Sequence, residues 1–280
     1  MISYRTMTTG DIPAGLALCR AAGWNQVARD WQLFLHRSPQ GCLVAVNNGR
    51  VVGTVATINY QHFFSWIGMV LVDPACRRQG IGLELLKEAL RILQHEQTIK
   101  LDATPAGREV YLKLNFVDEY PLSRMVCMGI LKSLEKSNAR PMTKNDLAAI
   151  AEFDHTVFGA YRQYVLKWLF EGTPQLAFVI EEKNSIQGYC FGRHGFSFTH
   201  IGPVIARNLH DAKNLVSAAL NNCIGNAVVM DILLFDPEWK AWLTLIGFTE
   251  QRSLSRMYRG RNGFPGMFEN QFAIVGPEFG

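Results

Sequence analysis

Six consecutive residues, Arg77-Arg78-Gln79-Gly80-Ile81-Gly82, set two guanidinium groups beside two glycines spaced two apart. That combination suits a pyrophosphate. Gly80 and Gly82 carry no side chain to block a phosphate, and both can adopt positive φ, so successive backbone N–H groups can turn inward as a nest. Arg77 and Arg78 would add charge-assisted hydrogen bonds.

Such a loop works only if its neighbours hold it. Upstream, residues 66–72 (Trp-Ile-Gly-Met-Val-Leu-Val) form a nearly continuous apolar run ended by Asp73-Pro74, which reads as a buried central strand and a turn. Downstream, Leu83, Leu86, Leu90 and Leu93 recur at three- and four-residue steps with Glu84, Lys87 and Glu88 between them, so an amphipathic helix starts at the glycines. Strand, glycine loop and helix in this order let a helix N-terminus receive an anion. A Rossmann fingerprint would need a third glycine where Leu85 stands, and a Walker A loop would need Gly-Lys-Ser/Thr after the turn. By themselves, two glycines suit an ordinary surface turn as well.

Val72-Asp73-Pro74 followed by Arg77, Gly80 and Gly82 resembles the acetyl-CoA signature R-x-x-G-x-G of the GNAT acetyltransferase superfamily. A second match follows a strand at residues 99–103 and a helix at 107–114, where Tyr111-Leu112-Lys113-Leu114-Asn115-Phe116 is similar to the family's Y-x-K-x-G-F segment. Asn115 replaces the family glycine, and asparagine tolerates left-handed φ, so the turn should survive. The resemblance implies that acetyl-CoA wedges between splayed strands near residues 69–72 and 101–104. Its contacts would be Met69, Val70, Leu71 and Val72 on the first strand, then Arg77, Arg78, Gln79, Gly80, Ile81, Gly82 and Leu83 around the loop. Thr104, Gly107 and Tyr111 would complete the set, with CoA leaving as product.

The resemblance also implies direct attack of a neutral primary amine on the thioester in a ternary complex. Tyr111 would be the general acid for the departing thiolate, and a backbone N–H near Met69 or Val70 would polarise the carbonyl as oxyanion donors do. For the general base the sequence offers Asp102, His62 and Glu119, and water-mediated deprotonation stays open. Trp24, Asn25, Tyr60, Phe63, Phe64, Trp66 and Arg193 are candidates for the acceptor side, which would suit a small amine bearing an apolar or anionic group. The aromatic residues among them would also serve as core, equally so for Trp66.

The second half repeats the first. Arg5-x-Met7-Thr8-x-x-Asp11-Ile12 recurs as Arg140-x-Met142-Thr143-x-x-Asp146-Leu147, Gly53 matches Gly188, and Ile67-Gly68 matches Ile201-Gly202. Phe116 with Leu122-Ser123-Arg124-Met125 matches Phe248 with Leu254-Ser255-Arg256-Met257, and Asn115 aligns with Gly247. Ordered anchors at a nearly constant step mark a tandem duplication. Alternating strands and helices in each copy imply an α/β fold. The resemblance implies tandem GNAT folds, each a mixed, mainly antiparallel central sheet flanked by helices. Residues 1–134 would be the catalytic domain and 138–280 a divergent partner, with the boundary in the polar stretch 132–138. After Ile201-Gly202-Pro203 the second copy runs Val204 to Ala212 without a glycine, and Trp239 to Trp242 stand where a phenol equivalent to Tyr111 would be. One cofactor site per chain is expected, with the second copy shaping the acceptor site.

Composition agrees with an enzyme of this size. The chain has 280 residues, beyond the usual domain mode of roughly 100 to 150, and a net charge of +4 with no block of like charges, so nucleic acid is not an expected partner. Cys19, Cys42, Cys76, Cys127, Cys190 and Cys223 are scattered singly, with no zinc-like spacing, and are expected to be reduced and to hold no metal. Residues 1–11 are polar and no apolar run approaches the roughly 18 residues of a membrane span, so a cytoplasmic monomer or homodimer free of membrane is expected. A non-catalytic acetyl-CoA sensor is the rival reading, against which stands Tyr111 in register with an intact cradle.

Overall fold

The computed structural model describes residues 2–61, 63–130, 133–134 and 137–280. His62, and part of the 132–138 stretch where the domain boundary is expected, lie outside them.

The first half runs β1 (Ile2–Thr6), α1 (Ile12–Ala21), α2 (Ala28–Arg37), β2 (Cys42–Asn47), β3 (Arg50–Tyr60), β4 (Phe64–Val72), α3 (Ile81–Ile92), β5 (Thr98–Ala103), α4 (Pro105–Leu112) and β6 (Val117–Cys127). The second repeats it as β7 (Arg140–Pro141), α5 (Leu147–Phe158), α6 (Gln163–Gly172), β8 (Phe178–Glu182), β9 (Ser185–His194), β10 (Thr199–Ala206), α7 (Leu209–Asn221), β11 (Val228–Leu233), α8 (Pro237–Leu245) and β12 (Thr249–Gly260). A short β13 (Gln271–Ala273) follows.

The duplication extends to side-chain geometry. Arg5 forks onto Asp11 with both hydrogen bonds at 2.8 Å, and Arg140 forks onto Asp146 at 2.9 and 2.8 Å. In each copy the same aspartate accepts from the backbone N–H of the threonine three residues before it, Thr8 or Thr143, and so fixes the turn into the following helix. Asn115 and Gly247 both take positive φ, 63° and 101°, as the alignment requires.

Among the described residues all thirteen strands join one sheet in the order β1-β2-β3-β4-β5-β12-β6-β11-β13-β10-β9-β8-β7. The sheet is mainly antiparallel, with parallel pairings of β4 with β5 and of β10 with β11. The halves trade strands: β12 lies between β5 and β6, and β6 lies between β12 and β11. α3 and α4 cover one face of the first half, α7 and α8 cover the second, and α1, α2, α5 and α6 share a single core with Tyr60, Trp66 and Phe279. No helix among the described residues is long and apolar enough to cross a membrane.

The two parallel pairs differ in what lies between them. β13 sits between β10 and β11, pairing Val204 with Ala273 and Ile232 with Ala273, so the second copy's cleft is filled by its own chain. Among the described residues β4 and β5 pair only at Ser65 with Ile99 and Trp66 with Lys100, and beyond Trp66 they splay with no strand between them. From β13 the chain crosses to the first half, where a Cβ on Gly68 would lie 2.8 Å from the Glu278 carbonyl oxygen. Glycine at 68 lets this terminal strap lie against β4.

Candidate active site

β4 breaks register where it splays. Ala56 of β3 faces Gly68 and Thr54 faces Leu71, so Met69 and Val70 together oppose one residue, Val55. This is a β-bulge, which re-aims backbone groups away from the ladder. Met69 takes φ 55°, a left-handed conformation that a non-glycine residue holds only under constraint, and its carbonyl accepts from Thr54 Oγ1 at 2.8 Å. The expected oxyanion donors therefore sit at the one irregular point of the strand.

The glycine loop follows within one turn. Asp73 Oδ1 accepts from the Ala75 N–H at 2.9 Å and its carboxylate pairs with Arg50, which fixes the strand end. Arg78 takes φ 63° and Gly80, the residue preceding α3, takes φ 79°. A Cβ at Gly80 would touch nothing within 4 Å, so glycine is needed there for backbone conformation and leaves open space above the helix start. Gly82 departs from its expected positive φ: it lies within the first turn of α3, where a Cβ would stand 3.4 Å from Val72. Its role is close helix–strand packing. The matching stretch of the second copy is capped by its own side chains, with Asn208 Oδ1 accepting from the Asp211 N–H at 2.9 Å and Asp211 adding negative charge. An anion gains little there.

A cavity of about 380 Å³ connects the loop, the bulge and the gap between β4 and β5. That volume lies in the roughly 300–1,000 Å³ range of ligand sites. Of the sequence-derived cofactor residues, Met69, Val70, Val72, Arg77, Arg78, Gly80, Ile81, Gly82, Leu83, Thr104, Gly107 and Tyr111 line it, whereas Leu71 and Gln79 do not. Leu71 is buried in the core beside the bulge, and Gln79 is exposed on the outer side of the loop. Open backbone at Gly80 and Arg78, two guanidiniums and a cleft leading inward fit a phosphate-bearing thioester with a narrow arm.

Tyr111 is well placed on α4. Thr104 caps this helix by accepting from the Gly107 N–H at 3.2 Å, and Gly107, one turn before Tyr111, leaves room for the ring: a Cβ there would lie 3.0 Å from it. The ring also packs on Phe116 with centroids 5.9 Å apart. Burial pushes the phenol up to about 12, so it stays protonated across the neutral range.

The other candidates divide sharply. Asp102 lines the cavity, but both of its oxygens are engaged by Arg256 Nε and Nη2 at 2.8 Å. Glu119 lies outside the lining, bound to Lys100 at 3.1 Å and Asn262 at 3.0 Å. Among the acceptor candidates only Trp24 lines the cavity. Asn25 staples the loop before α2 to the β9–β10 turn, accepting from Ser197 and Phe198 N–H groups at 2.9 and 3.0 Å and donating to the Phe198 carbonyl at 3.0 Å. Tyr60 donates to the Phe279 carbonyl at 2.5 Å and Trp66 Nε1 to that of Pro277 at 3.0 Å, so both anchor the terminal strap from the core. Phe64 is core and Phe63 packs on Phe264. Arg193 is buried between Asp30, at 2.7 Å, and Glu278, and lies outside the lining.

Gln26, Arg124, Arg252, Leu254 and Glu278, none of them a site candidate from the sequence, also line the wall. Nothing local in the sequence shows that the strap carrying Glu278 returns to β4. Burial pushes the Glu278 carboxyl up, but the Arg193 charge and hydrogen bonding outweigh it and hold the group below its ordinary range. The Gln26 side chain lies beside Glu278 and helps hold its charge, while Gln26 Oε1 stays buried without a partner. Arg124 and Arg252 come from strands that only the exchange between halves brings together.

Comparison with known proteins gives the same family for both halves. A GNAT acetyltransferase family model matches residues 17–116 and a second, GNAT acetyltransferase domain model matches residues 150–273. Holothin acyltransferase of Pseudoalteromonas sp. (strain SANK 73390) is 27% identical over 242 residues, spanning 86% of this chain and 82% of the relative. A crystal structure from Pyrococcus horikoshii aligns with a TM-score of 0.83 at 23% identity, covering 100% of this chain and 96% of its own. A tandem GNAT protein from the clavulanic acid biosynthesis pathway aligns with a TM-score of 0.62 at 13% identity, covering 92% and 98%. At these identities the structural matches speak for the fold alone.

Proposed function

Because the chain belongs to the GNAT acetyltransferase family, with one family domain in each half, we propose that this acyltransferase moves an acetyl group from acetyl-CoA to a primary amine of a small molecule, by direct attack in a ternary complex. The observation that carries this reading is the Met69 bulge, open to the same cavity as the glycine loop and Tyr111.

Acetyl-CoA, when bound, supplies a thioester carbonyl and a thiolate leaving group. Arg77, Arg78 and the backbone of Gly80 would hold its pyrophosphate, as helix N-termini and nests hold anions. The freed backbone at Met69 and Val70 would stabilise developing negative charge on the carbonyl oxygen. Tyr111, neutral and shielded, would give its proton to the departing thiolate. The amine must lose a proton in turn. Of the two carboxylates lining the cavity among the described residues, Asp102 is taken on both oxygens by Arg256, whereas Arg193 takes Oε1 of Glu278, so Glu278 is the one to receive that proton, directly or through water. Residues 1–134 would carry the cofactor site, and residues 138–280 would furnish β12 and the terminal strap that close the acceptor side. With β13 filling the second cleft, one acetyl-CoA per chain follows from this reading.

A thiol-release assay with acetyl-CoA and pooled primary amines tests it. Amine-dependent release, with N-acetylated product by mass, is the expected result. Tight CoA binding with no release from any pool would instead make the protein a sensor.

A further inference from the structure

Arg252 and Arg124 stand directly opposite each other in the β6–β12 ladder, and both line the cavity. Like charges in that position repel, and a fold gains nothing from them unless something else answers the charge. Arg124 has its answer: Nε and Nη2 each lie 2.7 Å from a carboxylate oxygen of Asp231. Arg252 has none. No carboxylate pairs with it among the described residues, and its Nε is buried without a hydrogen-bond partner. Burial and the Arg124 charge pull its guanidinium down to about 10, with the Asp231 and Glu278 charges acting the other way without pairing to it. Leu254, two residues on, forms the adjacent apolar wall with Leu122 and Ile274 behind it. Across the same cavity lies the opposite unmet need, a buried Gln26 Oε1 without a donor beside the ionised Glu278.

We propose that the cavity receives a carboxylate at Arg252, with Arg124 reinforcing it, and that this carboxylate belongs to the acceptor. The substrate class is then a zwitterionic amine such as an amino acid, its carboxylate on the planar fork of Arg252 and its amine toward Gln26 Oε1 and Glu278. The fork suits a carboxylate because it can donate two parallel hydrogen bonds. The inference rests on the acetyl-transfer reading for the identity of the reacting group, though not for the anion site itself. Arg193, the cation expected for this task from sequence, is already neutralised by Asp30 and Glu278.

Three measurements test it on the full-length chain. Calorimetry of the CoA complex with a pool of N-acetyl amino acids, and with the matching pool of their amides, reads the site without turnover. Tighter binding of the acids, weakened about 10- to 100-fold in Arg252→Gln and partly recovered in Arg252→Lys, is expected from loss of one charged hydrogen-bonded pair. Equal binding of acids and amides, or no dependence on Arg252, overturns the proposal. Thermal unfolding of Arg252→Gln should match or exceed that of the parent, since repulsion is relieved. Initial rates then compare amino acids with acetyl-CoA against uncharged amines with succinyl-CoA. Arg252-dependent turnover of the first pairing supports the acceptor assignment, and Arg252-dependent turnover of the second places the carboxylate on the acyl donor and overturns it. If no pairing turns over while acid binding still requires Arg252, the anion site stands and the transferase reading falls.

Discussion

Arg256 of the second half grips Asp102 of the first with Nε and Nη2 at 2.8 Å, and Arg124 of the first half grips Asp231 of the second in the same way at 2.7 Å. The two arginines occupy equivalent positions of the repeated Leu-Ser-Arg-Met segment. Each copy thus clamps the carboxylate of the other through the exchanged strands β6 and β12.

The Asp102 clamp is buried, with Arg256 stacked over Trp66 at 4.6 Å. Burial pulls the Arg256 guanidinium down, but the Asp102 charge outweighs it and keeps the group above its ordinary value. Arg256→Met would strand a carboxylate in the core and should lower unfolding stability by about 3 to 5 kcal/mol, whereas Asp102→Asn combined with Arg256→Met should recover much of that loss. Urea unfolding measures both. A single variant as stable as the parent would show that the pair does not hold the halves together.

How much of this was legible depends on range in the sequence. The glycine loop, Tyr111 and the strands around them lie within about fifty residues, and their periodicity and turn chemistry are local signals. The Asn115 turn was legible for the same reason. Asn25, Tyr60, Trp66 and Arg193 carry residue types that suit an acceptor pocket, yet their partners are Phe198, Phe279, Pro277 and Glu278, more than eighty residues away in every case. No spacing rule reaches that far. The repeat showed that Arg124 and Arg256 correspond, but not that each crosses to the other copy, because strand exchange leaves both copies' patterning unchanged.

The cofactor loop gives a stoichiometry. Gly80→Val forces a β-branched residue into φ 79° at the start of α3 and fills the space above it, so CoA affinity should fall at least about 100-fold, in keeping with the roughly 1 to 3 kcal/mol of such backbone strain plus lost contacts. Arg77→Glu should act in the same direction. Asn208→Ala, at the equivalent loop of the second copy, should leave both affinity and a stoichiometry of one unchanged, because β13 fills that cleft. Calorimetric titration with CoA reads all three, and a second equivalent of binding would contradict the single-site account.

For Tyr111 the expectation is kinetic. Tyr111→Phe keeps the packing on Phe116 and removes only the hydroxyl, so turnover should fall by roughly 10² to 10⁴ with CoA affinity little altered. Gly107→Val should mimic part of this loss by displacing the ring it supports. Product burst measurements establish whether chemistry limits the rate; unchanged turnover with chemistry limiting would remove Tyr111 from the role.

Glu278 can be tested through pH in two independent ways. Its carboxyl lies below the ordinary value of 4.5, because the Arg193 charge and hydrogen bonds outweigh burial, so it remains ionised from pH 6 to 9. The acidic limb of kcat/KM in that window should therefore follow the pKa of the acceptor amine rather than that of Glu278, and should move when amines of different basicity are compared. Glu278→Gln should lower kcat/KM by roughly 10² or more at every pH without shifting the limb. Stability supplies the second check. A carboxylate whose folded pKa is depressed binds fewer protons folded than unfolded, so its contribution is fully present above about pH 5 and is lost as pH falls below 4.5 through the folded value. The stability difference between the parent and Glu278→Gln should accordingly be constant from pH 6 to 9 and narrow below pH 4.5. A difference that instead narrowed between pH 6 and 8 would mean a raised Glu278 pKa and would make the residue a titrating base, with its own limb in the rate profile.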